Sequence, residues 1–105
     1  MSNINKNEEI SSLYDYYKEL LTEKQKEYFE LYYFEDLTFQ EIGEQLGISK
    51  NAVFDSINKT INNLKDFENK LHIKEKNDFI KQQIDNFKES KINIEVLIRN
   101  IEEEI

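Results

Sequence analysis

Cysteine, proline and tryptophan are absent from this sequence, and glycine occurs only twice. Without cysteine there is no disulfide framework, no thiolate zinc site and no cysteine nucleophile. Two glycines and no proline are too few turn-formers for an all-β chain, so the 105 residues read as all-α. Histidine occurs once, at position 72, with no second histidine or cysteine to share a metal ion. It reads as a junction residue, neither ligand nor catalyst. Long apolar runs are also missing, which excludes a membrane-spanning helix. The opening MSNINKNEEI has neither the apolar core nor the basic cluster of a secretory signal. The expectation is a soluble cytoplasmic protein with no cofactor and no metal, built as one domain with a helical appendage.

Positive charge is scarce. The net charge is −8, and acidic residues outnumber basic ones everywhere except the middle of the chain. Residues 1–37 carry 4 basic and 9 acidic side chains, residues 38–74 carry 5 and 5, and residues 75–105 carry 5 and 8. A nucleic-acid-binding domain is usually visibly basic, because phosphate contacts supply most non-specific affinity. The central segment is the least acidic, but it is not basic.

That central segment is where the chain is most informative. In residues 38–60, TFQEIGEQLGISKNAVFDSINKT, two short amphipathic helices meet at Gly47, Ile48 and Ser49. Thr38 followed three residues later by Glu41 is a capping box. Ile42 and Leu46 fall one turn apart on an inward face. Gly43 occupies the closest helix-helix approach, where leucine would not fit and alanine is expected to be tolerated. Gly47 supplies the left-handed conformation that ends the first helix, Ile48 plugs the turn and Ser49 caps the second helix. Val53 and Ile57 bury that helix and leave Lys50, Asn51, Phe54, Asp55 and Asn58 outward. Any corner of a small α-bundle shares some of these features, but their joint spacing is that of a helix-turn-helix. The second helix of such a motif enters the major groove of DNA.

The flanking segments read as helices too. Residues 3–7 are polar and expected to fray. A first helix is expected from about Glu8 to Leu21, with Ile10, Leu13, Tyr14, Tyr17, Leu20 and Leu21 on one stripe. Thr22 and Gln25 form another capping box, opening a second helix to about Phe34 with Tyr28, Leu31, Tyr32 and Phe34 inward. The second helix of the motif continues through Ile61, Leu64 and Phe67 to a break near Leu71, His72 and Ile73. Beyond it, Ile73, Asn77, Ile80, Ile84, Phe87, Lys91, Ile94, Ile98, Ile101 and Ile105 follow alternating steps of four and three. That 3.5-residue repeat suits a coiled-coil seam between two chains, whereas a bend near Ser90 would fold the segment back within one chain.

The six tyrosines and seven phenylalanines could stack on bases, but most lie on the inward stripes and read as core. Phe54 is the exception. Carboxylates are scattered along polar faces, and neither a Ser-His-Asp constellation nor a phosphate-cradling glycine loop is present, so no enzyme is expected.

Residues 21–64 resemble the promoter-reading region 4 of bacterial sigma factors, in which a leading helix precedes a helix-turn-helix. A closer resemblance is to the YlxM-like proteins of Gram-positive bacteria and mollicutes. It is carried by LYDYYKELLTEKQKEYFELYYFEDLTFQEI (residues 13–42) and ISKNAVFDSINKT (residues 48–60). That resemblance implies a sigma region 4-like helical bundle and a link to the signal recognition particle, beside whose genes the family is generally encoded. Sigma-like recognition helices often carry several basic residues, whereas this one has Lys50 and Lys59 with Asp55 between them.

The expected organisation is a helix-turn-helix domain over residues 1–71 and a C-terminal helical segment over residues 72–105 that dimerises. The expected function is a DNA-binding regulator with Ser49, Lys50, Asn51, Phe54, Asp55, Asn58 and Lys59 at the interface. Asn51 would read adenine, Phe54 a thymine methyl, and Asp55 either accept from cytosine or repel phosphate. The alternative is an accessory that docks on signal recognition particle protein or RNA through the same surface. Expected partners are therefore DNA, or particle protein or RNA, with a second copy of the chain and no membrane.

Overall fold

The computed structural model describes residues 8–105, and among these every regular element is helical. The expectation of fraying for residues 3–7 lies outside the described residues. The elements are α1 (Glu8–Tyr17), a 3₁₀ turn (Lys18–Leu20), α2 (Glu23–Tyr33), α3 (Phe39–Leu46), α4 (Lys50–Leu71), α5 (Ile73–Lys88) and α6 (Ile94–Glu104). The chain divides into two compact units, one ending at Lys70 and one spanning Leu71–Ile105.

The first unit is held by one apolar core. Ile10, Leu13, Tyr14 and Tyr17 of α1 meet Phe29 and Tyr32 of α2, Ile42 of α3, and Val53, Ile57, Ile61 and Leu64 of α4. Its centre is aromatic. Phe29 is completely buried, with Tyr14 stacked on it at 4.3 Å between ring centroids and Tyr33 stacked at 4.2 Å. Burying tyrosine rings in this way requires partners for their hydroxyls. Tyr14 donates to Glu30, and Tyr17 donates across the bundle to Glu68 on α4.

Two expectations for the first helices need correction. The first helix does not reach Leu21: α1 stops at Tyr17, and a 3₁₀ turn closed by Leu21 N–H to the Lys18 carbonyl (3.0 Å) follows. The cause lies downstream. Leu21 and Thr22 are both extended, Thr22 as the cap of α2, so the first helix ends before them and its last turn is 3₁₀. The tightening leaves Leu21 buried and Leu20 56% exposed, off the stripe. In α2 the inward residues are Phe29 and Tyr32, while Phe34 is 53% exposed at the helix end. Residues 28–34 are aromatic or apolar on almost every side, so periodicity there does not select a face.

Burial raises the phenol pKa of Tyr33 to about 12, with a smaller contribution from Tyr32 beside it. Burial also raises that of Tyr14, reinforced by the Glu30 carboxylate that accepts its hydrogen bond. In the unfolded chain both phenols would ionise near 10.0, their ordinary value. Their contribution to stability is therefore complete below pH 10.0 and is lost as pH rises from there, toward about 12 for Tyr33 and further still for Tyr14. Alkaline titration should show tyrosinate absorbance from these two rings appearing together with loss of helicity. Independent ionisation while helicity is retained would contradict this coupling.

The second unit is a helical hairpin. His72 adopts a left-handed conformation (φ 56°) between α4 and α5 and bonds through Nδ1 to Glu75 at 2.9 Å, as a junction residue should. At the other end, α5 stops where Ser90 takes φ 63°. Lys91 N–H reaches the Asn86 carbonyl at 2.8 Å and Ser90 N–H the Phe87 carbonyl at 3.0 Å, which is a Schellman motif with serine in glycine's usual place. Asn93 then caps α6 by accepting from Val96 N–H at 2.9 Å. The unbroken helical seam expected over residues 73–105 is thus interrupted at Ser90, and α6 packs back on α5. Within the hairpin, Leu97 and Gln83 are buried, and Asn100 donates to Gln83 Oε1 at 2.7 Å.

Candidate nucleic-acid interface

The motif at residues 38–60 is built from local hydrogen bonds. Thr38 Oγ1 accepts from Glu41 N–H at 3.0 Å, and Glu41 Oε1 accepts from Thr38 N–H at 2.9 Å. α3 ends at Gly47 (φ 74°), whose N–H and that of Ile48 both turn back to the Gly43 carbonyl. Ser49 Oγ then accepts from Ala52 N–H at 3.0 Å and starts α4. Each of these positions has the role its residue type suggests.

Gly43 departs from expectation in degree. A Cβ there would lie 2.6 Å from the Ile48 carbonyl oxygen and 3.3 Å from Lys50 N. Both are backbone atoms of the turn, so even alanine must push the two helices apart. The tolerance expected for alanine is withdrawn.

α4 buries Val53, Ile57, Thr60, Ile61 and Leu64, and Thr60 satisfies its hydroxyl by donating to the Ser56 carbonyl at 3.0 Å. That burial fixes the rotation of the helix. Ser49, Lys50, Asn51, Phe54, Asp55, Asn58 and Lys59 are all exposed. Asn51, Phe54, Asp55 and Asn58 fall at three- and four-residue spacing and share one face. Phe54 is 39% exposed and held in place: its ring meets Phe39 edge-on at 5.5 Å, and Phe39 stacks on Tyr32 at 4.6 Å. This ladder links α2, α3 and α4, so Phe54 is presented from a fixed position.

A shallow groove adds residues that sequence spacing does not reveal. Thr22, Lys24, Gln25 and Tyr28 from the start of α2 line it together with Asp55, Ser56, Lys59 and Asn63 of α4. Lys24 and Lys59 are thirty-five positions apart, and only the folded bundle puts them on one groove. A second groove on α2, between Glu23, Glu27, Glu30 and Glu35, is dominated by carboxylates, with Lys26 paired to Glu23 at 3.0 Å. The Glu23 carboxylate is the main cause that raises the Lys26 pKa. Phosphate would meet repulsion there and fewer carboxylates beside α4. Among the described residues, no group of three or more His, Asp or Glu side chains is placed to hold a metal ion. No described helix is long and apolar enough to cross a membrane.

Comparison with known proteins agrees with this geometry. The family described as "Putative helix-turn-helix protein, YlxM / p13 like", UPF0122, matches residues 4–104. The chain belongs to this family. A UPF0122 protein of Mycoplasma mycoides is 46% identical over 97 residues, covering 92% of this chain and 86% of its own length. One from Mycoplasma capricolum is 45% identical over the same length and coverage. A UPF0122 protein of Pediococcus pentosaceus is 47% identical over 70 residues, 67% of this chain and 62% of its own length. The YlxM-like resemblance seen in residues 13–42 and 48–60 is therefore correct, and the match extends through the α5–α6 segment. The family description names a helix-turn-helix and no reaction.

Proposed function

We propose that this protein is a cytoplasmic, non-enzymatic DNA-binding regulator linked to the signal recognition particle pathway, acting as a homodimer. The observation that carries the DNA reading is the exposed face of α4, with Lys50, Asn51, Phe54, Asp55 and Asn58 presented by a helix whose rotation is fixed by its buried side. Lys50 and Lys59, with Lys24 across the groove, supply phosphate contacts. Asn51 supplies a bidentate base contact, and Phe54 supplies apolar contact with a thymine methyl. Ser49 stays on its cap and brings the start of α4 close to the backbone of the duplex. The link to the particle rests on the resemblance to the YlxM-like family. Two copies double the phosphate contacts, which a single chain of net charge −8 provides sparingly.

A second reading is favoured by Asp55 and the Phe39–Phe54 ladder. An acidic residue beside a fixed, partly exposed ring suits a protein surface or an RNA base better than a phosphate backbone. In that reading the same face docks on particle protein or RNA.

Binding to duplex DNA and to particle protein and RNA, measured over a range of salt, separates the two. Under the DNA reading, Lys50→Ala weakens binding to all sequences and flattens the salt dependence, because a phosphate contact is lost. Asn51→Ala instead relaxes sequence preference, by about 1–3 kcal/mol for a bidentate contact. Equal effects of both changes on specific and random duplexes would remove Asn51 as a base reader. No retention on DNA at low salt, with retention on particle protein or RNA, would replace the first reading by the second.

A further inference from the structure

The α5–α6 hairpin leaves a continuous apolar face uncovered. Ile84 and Phe87 on α5 are 38% and 40% exposed, and Ile94 and Ile98 on α6 are each 50% exposed. The helices meet through Gln83 and Asn86 on one side and Leu97 and Asn100 on the other, all buried or half-buried. Ile84 and Phe87 each sit one residue, about 100° of helical rotation, past Gln83 and Asn86. Ile94 and Ile98 have the same offset from Asn93 and Leu97. Antiparallel helices wind in opposite senses when viewed along one axis, so equal offsets bring both stripes to the same side of the hairpin. The repeat that runs through residues 73–105 is thus split at Ser90 into two parallel stripes on one face.

A hairpin of this size does not hold itself together well. The unit spans only Leu71–Ile105, below the ~40 residues under which chains usually need a staple or a partner chain. Its most buried contacts are one leucine and a Gln83–Asn100 hydrogen bond.

We propose that this face docks a second copy of the chain, the two hairpins closing into a four-helix bundle about a two-fold axis. The surface rests on the homodimer of the functional reading and names where that dimer is made. Charge supports a second copy as the occupant. α5 carries Lys74, Lys76, Lys81 and Lys88 against Glu75, Asp78 and Asp85, whereas α6 carries Arg99 against Glu95, Glu102, Glu103 and Glu104. A basic-leaning helix of one copy can therefore lie beside the acidic helix of the other. An isologous interface makes that pairing twice. Asn77, on the same stripe, is the kind of polar seam residue that fixes register and chain number.

Sedimentation of the full chain tests this. The wild type is expected to be a dimer at tens of micromolar, and Ile84→Glu with Ile98→Glu should weaken association by ~100-fold or more. Gln82→Glu, on an exposed position outside the stripe, should leave the dimer unchanged. Because the double variant could unfold the hairpin, a milder pair keeps the test decisive. The chain has no cysteine of its own, so mixed Ile84→Cys and Ile98→Cys proteins should be joined into covalent dimers by a short bis-maleimide. A wild type that remains monomeric at hundreds of micromolar would overturn both surface and homodimer. A dimer that survives the double substitution with its helicity intact, or gives no cross-link, would overturn the surface and leave the homodimer standing.

Discussion

Gly43→Ala should lower the thermal midpoint of the helix-turn-helix unit, although alanine is the better helix former by about 1 kcal/mol. The added Cβ would sit 2.6 Å from the Ile48 carbonyl oxygen. That atom belongs to the turn whose N–H groups at Gly47 and Ile48 are themselves bonded to the Gly43 carbonyl. The contact cannot be relieved by rotating a side chain. Overpacking of this kind costs about 1–3 kcal/mol, and a rigid backbone neighbour puts the cost at the upper end. The net loss is then about 1–2 kcal/mol, or on the order of 5–15 °C in a domain of this size. Gly43→Leu should prevent the motif from closing. Gly47 provides the control, since a Cβ there meets nothing within 4 Å but would sit on a backbone with φ 74°. Gly47→Asn should therefore cost less than Gly47→Ala, because asparagine tolerates the left-handed region, while asparagine at position 43 should be worse than alanine. A Gly43→Ala protein that melts at or above the wild-type temperature would show that the turn has room the distances deny.

What was legible in the sequence follows from how local each signal is. Thr38 with Glu41, Thr22 with Gln25, Gly47 and Ser49 act over three or four residues, so their spacing alone predicts the caps that the structure contains. The rotation of α4 was legible because Val53, Ile57, Ile61 and Leu64 recur at helical spacing, the last three each between polar neighbours. The rotation of α2 was not, because Tyr28, Phe29, Leu31, Tyr32, Tyr33 and Phe34 offer an apolar side in nearly every direction. The bend at Ser90 had no glycine or proline to mark it, since serine takes the left-handed position itself. The closeness of Gly43 to the turn is a tertiary distance, and a glycine in a sequence does not say whether one methyl group or none will fit. Likewise Lys24 reached the α4 groove only through the fold, as no spacing rule joins positions 24 and 59.

These differences matter for how the surface of α4 acts. Its outward face is set by a core to which α2 contributes an aromatic layer, Phe29 and Tyr32, and Tyr32 carries Phe39, which in turn seats Phe54. A change in α2 packing therefore shifts the interface itself, even where no residue of α4 is altered.

Phe29→Ala should be the most damaging single truncation in that layer. The ring is completely buried, with Tyr14 and Tyr33 stacked on it at 4.3 and 4.2 Å and Phe34 edge-on at 6.0 Å. Removing it takes away the apolar burial and leaves a cavity that two stacked tyrosines cannot collapse into without breaking the Tyr14 to Glu30 hydrogen bond. Phenylalanine-to-alanine changes at such sites cost about 3–5 kcal/mol, a large share of the ~5–15 kcal/mol that stabilises a typical domain. In urea unfolding the midpoint should fall with little change in slope, and binding through α4 should weaken in parallel because the Tyr32–Phe39–Phe54 ladder loses its support. Phe34→Ala, five residues on and 53% exposed, loses only edge contacts and should cost about 1 kcal/mol or less. Leucine at position 29 should recover part of the stability, since it refills volume without restoring the stacks. Equal costs at positions 29 and 34 would mean that α2 is rotated from the orientation described, with Phe34 inward after all. The ladder that seats Phe54 would then have to be rebuilt along with it.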